Sequence, residues 1–112
     1  MKHIVLIALL SLTNVVLAAS PNPGCIAAVD DQIKAAANTA SAGGYAGSYS
    51  DIKNRMTIAM YKGSCYSESD RSKLCKIVLD AMVDAGRSAV AQGGGKLSDG
   101  WLLEEAHTIS GC

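Results

Sequence analysis

The sequence predicts an all-α protein, a small four-helix up-down bundle stapled by two disulfides. Three observations predict it. Apolar residues recur at spacings of three and four rather than in alternation. Aromatic residues are scarce, with one Trp, four Tyr and no Phe, so the core must be assembled from Ala, Ile, Val, Leu and Met. Such a core suits close-packed helices better than a β-sandwich. Finally, Cys25, Cys65, Cys75 and Cys112 lie downstream of an export signal, and an even cysteine count in an exported chain reads as two bridges.

The export signal occupies residues 1–19. Lys2 and His3 form a short positive region, an apolar run follows at residues 4–12, and Thr13-Asn14 breaks it. Val16 and Ala18 satisfy the small-residue rule for cleavage, which is expected after Ala18 or Ala19. The run is shorter than the roughly 20 residues that span a bilayer. Cys25 is too far from the cleavage point to carry a lipid anchor. The expected product is one helical domain, residues 20–112, periplasmic or secreted, with no membrane association. A domain of this size is marginal for a core without staples.

Four helices are expected in order. The first spans about residues 25 to 42, with Ile26, Val29, Ile33, Ala36, Ala37 and Ala40 on one stripe, and Gly43-Gly44 ending it. The second spans about 46 to 62, with Tyr45, Tyr49, Ile52, Met56, Ala59 and Met60 on its stripe and Gly63 as its stop. Cap residues and negative charge at Ser67-Glu68-Ser69-Asp70 open the third. Leu74, Ile77, Val78, Ala81, Met82, Ala85 and Ala89 carry it to Gln92. Ser98 or Asp99 caps a short fourth helix bearing Trp101, Leu102, Leu103, Ala106 and Ile109, and Gly111 ends it.

Short connections favour antiparallel neighbours. Walking the chain up and down then gathers all four cysteines at one end and both glycine-rich connections at the other. The pairing expected is Cys65–Cys112 with Cys25–Cys75, tying helix one to helix three. A local Cys65–Cys75 bridge is its main rival. Each bridge is expected to contribute about 3–4 kcal/mol.

Several chemistries are excluded. With Lys2 removed, nine basic residues face ten acidic ones, and no basic patch favours nucleic acid or an anionic membrane. No paired close cysteine spacing supports zinc, and no metal or other cofactor is expected. His107 has no evident Asp or Asn partner, so no nucleophile, base and orienting group can be assembled, and the chain is not expected to be an enzyme. Glu104 and Glu105 are adjacent on a helix, point in different directions and are not an acid/base pair. Gly93-Gly94-Gly95-Lys96 lacks the glycine spacing, the preceding strand and the Ser/Thr of a phosphate loop.

What remains is a surface. Three consecutive glycines exceed what a helix stop needs. The connection formed by Gln92, Gly93, Gly94, Gly95, Lys96, Ser98 and Asp99 is therefore the candidate partner-binding loop, carried on a rigid frame. Trp101 beside it reads more readily as a core anchor than as a contact.

Gly44-Tyr45-Ala46-Gly47, Cys65 some 20 residues on, an apolar helical run and a terminal Cys112 resemble the Rap/Tai immunity proteins. That family protects bacteria from peptidoglycan amidases delivered by type VI secretion. Its glycine–tyrosine stretch is one residue longer than the one here, Cys75 is additional, and the prolines often found after the third helix are missing. The resemblance implies a periplasmic helical protein, often a homodimer, that inserts a loop into the active-site cleft of a cognate amidase; here that loop is the connection opening at Gln92. Individual inhibitory residues do not transfer. The alternatives are a secreted effector or toxin, an envelope structural factor, and a carrier of small apolar ligands.

Overall fold

The computed structural model describes residues 20–112, so the signal-peptide reading of residues 1–19 lies outside the described residues. Four α-helices follow in order: α1 Pro23–Ala42, α2 Tyr49–Met60, α3 Arg71–Gln92 and α4 Asp99–Ser110, with a 3-10 helix, Tyr61–Cys65, after α2. The fold is the expected all-α bundle.

Each α-helix opens on a side chain that satisfies backbone N–H groups otherwise left without partners. Asn22 accepts from Cys25 N at 3.1 Å, ahead of Pro23 in the first turn, where a missing N–H costs nothing. Ser48 caps α2, Asp70 caps α3 through Ser72 and Lys73, and Ser98 caps α4. Asn22 and Ser48 shift two expected starts, moving α1 earlier and α2 later. Gly111, at φ 73°, ends α4 in a left-handed turn.

Gly63 plays a different part from the one expected. It lies buried in the 3-10 helix, and a Cβ there would meet Val78 Cγ2 of α3 at closer than van der Waals contact. It permits close approach rather than reversing the chain.

The α2 and α3 helices form the centre. Ile52, Met56 and Ala59 meet Val78, Met82, Ala85 and Ala89, and α4 adds Leu102 and Ala106. Met56, Met82 and Leu102 are fully buried, so this seam is dry and close-packed. The α1 helix packs on α2 and on the 3-10 helix, and it contributes only Val29 and Ala37 as buried residues.

The cysteines gather at one end as expected, but in a different pairing. Cys25 bonds Cys65 and Cys75 bonds Cys112, with Cα–Cα separations of 5.4 and 5.7 Å. The expected Cys65–Cys112 and Cys25–Cys75 bridges do not form, nor does the rival Cys65–Cys75. The reason is which helices are neighbours. Asn22 N donates to Cys65 O at 2.7 Å, and Ser67 N donates to Ser20 O at 3.0 Å. This short antiparallel contact, centred on Pro21 and Tyr66, lays Cys25 against Cys65. The α4 helix packs on α3, so its end meets Cys75. Each bridge therefore closes one helical hairpin, α1–α2 or α3–α4.

Candidate partner-binding end

At the end opposite the disulfides the two glycine-rich connections touch. A Cβ on Gly47 would fall on the Gly93 backbone, and a Cβ on Gly93 would fall on the backbones of Ala46 and Gly47. Gly47 also has φ 75°, where a side chain is strained. Gly44 has the same conformation, φ 76°, but nothing within 4 Å of a Cβ. Gly47→Ala should thus cost at least about 2 kcal/mol, against about 1 kcal/mol for Gly44→Ala, where only the conformational term operates. Parallel urea melts measure the difference, and equal losses would show that the two connections separate easily.

Beneath this contact lies a buried ion pair. Arg55 is 1% exposed and Asp51 7%. Arg55 Nε and Nη2 donate to Asp51 Oδ1 and Oδ2 at 2.9 and 2.8 Å, and Gly47 N donates to Oδ2 at 2.9 Å. Arg55 Nη1 donates to Gln92 Oε1. One guanidinium thus links α2, the first glycine connection and the end of α3. Such a pair is held in place by its hydrogen bonds as much as by its charge.

The structure divides the predicted loop into a fixed base and a free tip. Gln92 is the last residue of α3, with its side chain committed to Arg55. Gly93 is packed backbone to backbone. Gly94 turns left-handed at φ 71°, and Gly95 N returns to Val90 O at 3.0 Å. Ser98 caps α4. Asp99 receives two hydrogen bonds from Arg87, at 2.9 and 2.8 Å, while Arg87 also reaches Asp84. The Arg87 hydrogen bonds hold the Asp99 carboxyl below the usual carboxylate range. Lys96 and Leu97 remain outward, and Leu97 is 40% exposed. Among the described residues neither side chain has a hydrogen bond or ion pair.

Beside the tip runs a mixed aromatic and charged strip that the sequence reading missed. Tyr49, in the first turn of α2, meets Trp101 of α4 edge to face, with ring centroids 5.2 Å apart. Its hydroxyl donates to Glu105 Oε1 at 3.0 Å, and this bond raises the phenol pKa above its ordinary value. Lys53 Nζ lies 5.2 Å from the Tyr49 ring centre. Trp101 is half-buried against the core, as its anchor role requires, yet one edge borders this strip. Tyr45 and Tyr49 are expected on the apolar stripe of helix two, but Tyr45 lies before the helix and is 68% exposed, and Tyr49 is 54% exposed in its first turn. The helix-terminal position of Tyr49 is the signal that it need not be covered.

No protein-family model matches this chain, and no curated protein or solved structure matches it either. Any function must therefore be argued from the site itself. All four cysteines are bridged, which places the protein in a non-reducing compartment. Among the described residues no helix is long and apolar enough to cross a membrane, and no group of three or more His, Cys, Asp or Glu is arranged to hold a metal ion.

Proposed function

We propose that this chain is an exported binding protein, a periplasmic immunity protein that neutralises a type VI peptidoglycan amidase by inserting a loop into its active-site cleft. The inserted element is the tip at residues 94–97. The observation that carries the reading is the contrast within one connection. Its base is fixed by Arg55, Gly47 and Arg87, while Lys96 and Leu97 project with no hydrogen-bond or ion-pair partner among the described residues. A rigid base lowers the ordering cost of binding, and the projecting side chains supply the contact. Tyr49 and Trp101 flank the tip with the residue types that carry most of the energy in protein interfaces. In this reading the chain performs no reaction itself. The Rap/Tai resemblance supplies the amidase as partner, and the disulfides agree with the envelope as its setting.

The test is calorimetric titration of the oxidised protein against purified type VI peptidoglycan amidases, with hydrolysis assayed in parallel. Binding should abolish hydrolysis. Deleting Gly94 and Gly95 should weaken binding by about 2 kcal/mol or more while helical circular dichroism is retained. Gly93 must stay, because it seals the contact with Gly47. Unchanged affinity would move the binding surface to a helix face and remove the loop-insertion mechanism.

A further inference from the structure

On the other side of the first glycine connection, α1 and α2 diverge and leave an open groove of about 700 Å³. This lies within the size range of small-molecule sites. Its chemistry is unlike that of the loop tip. Thr39 of α1 and Ser50 and Asn54 of α2 line it, with Ala40 as a low floor and Tyr45 at one end. Ser50 and Asn54 stand one helical turn apart, and both are exposed with no side-chain hydrogen bond among the described residues. Together they offer a hydroxyl and an amide, which donate and accept hydrogen bonds equally well.

The groove carries no available charge. Asp51 is the one ionisable carboxylate in its lining, and both its oxygens are occupied by Arg55 and by Gly47 N. Among the described residues that line it, no cation stands ready for a phosphate and no free carboxylate for an amine.

Tyr45 is the decisive wall. It is 68% exposed, yet its position is defined. Its backbone N–H donates to Ala40 O at 2.7 Å, and its ring leans on Gly43. A Cβ on Gly43 would lie 2.8 Å from Tyr45 Cδ2 and 3.1 Å from Cε2. Gly43 itself is right-handed, at φ −85°, so its lack of a side chain serves the ring rather than the turn. An exposed aromatic platform held beside uncharged hydroxyl and amide groups matches one ligand class. A pyranose ring presents an apolar C–H face to stack on the aromatic and hydroxyls at its rim for hydrogen bonding.

We infer that the α1–α2 groove is a binding site for a neutral saccharide, stacked on Tyr45 and hydrogen-bonded by Ser50 and Asn54. The inference does not rest on the inhibitor reading, since none of these residues belongs to the loop at 92–99.

The experiment is a nuclear magnetic resonance titration of the oxidised protein with N,N′-diacetylchitobiose and with cellobiose at millimolar concentrations. At least one should give saturable shifts confined to Tyr45, Ser50, Asn54 and their neighbours. Tyr45→Ala should weaken binding by about tenfold or more. Gly43→Ala, which touches no ligand but displaces the ring, should also weaken it. Tyr61→Ala, another exposed tyrosine at the disulfide end, should leave affinity unchanged and so serves as the control. Retention on insoluble chitin or cellulose then separates a glycan strand from free sugar as the source of the ligand. Absence of saturable shifts with both sugars, or equal affinity in Tyr45→Ala, overturns the inference. Shifts produced by N-acetyltryptophanamide but by neither sugar also overturn it and give the groove to a peptide.

Discussion

Arg55→Met should destabilise the protein by about 3–5 kcal/mol, more than any other single non-cysteine change considered above. The guanidinium is almost completely buried and makes three side-chain hydrogen bonds. Removing it leaves the Asp51 carboxylate out of water with only the Gly47 N–H for company. It also strips Gln92 of its partner, so the damage reaches both glycine connections. Urea denaturation followed by helical circular dichroism measures the loss. The double variant Asp51→Asn with Arg55→Met should recover a large part of it, because an amide can still accept from Gly47 and no buried charge remains. A single-variant loss below about 1 kcal/mol would mean that water reaches the pair and that the two connections are not locked through it.

Removing the Cys25–Cys65 bridge by a double Ser substitution should cost about 4 kcal/mol, and removing Cys75–Cys112 about the same. The sequence separations of 40 and 37 residues set that size through the freedom restored to the unfolded chain. A domain this small has a net stability of only about 5–15 kcal/mol, so loss of both bridges should leave little folded protein. Chemical denaturation of the three variants gives the values. Non-reducing peptide mapping of the parent should recover Cys25 with Cys65 and Cys75 with Cys112. Recovery of a Cys65–Cys112 peptide would refute the neighbour arrangement of the helices.

The sequence carried the architecture because its signals were local. Caps such as Asp70 and Ser98, the stripe from Leu74 to Ala89 and the glycine stops at Gly43, Gly93 and Gly111 each act within one or two turns, and each was legible. The grouping of cysteines at one end also followed, since it needs only helix order. Their pairing did not, because it depends on whether α1 lies against α2 or α3, and Ala-rich stripes fit either. The Asp51–Arg55 pair shows a different limit. An acid four residues before a base is ordinary on an exposed helix face. Nothing in the spacing shows that Gln92, 37 residues away from Arg55, comes back to cover it. For the same reason the loop was found but its division was not. Gln92 and Asp99 looked like contact residues because their partners Arg55 and Arg87, 37 and 12 residues away, meet them only in the folded chain.

The bridge pattern also decides how the molecule comes apart. Each covalent ring encloses one hairpin, and the only main-chain link between the rings is residues 66–74. A protease that cut there would leave two covalently separate rings, held together by the Met56–Met82 seam, the Gly47–Gly93 contact, the Arg55–Gln92 hydrogen bond and the Tyr49–Trp101 pair. A protein stapled in this way is fastened covalently within its halves and only by packing and hydrogen bonds between them.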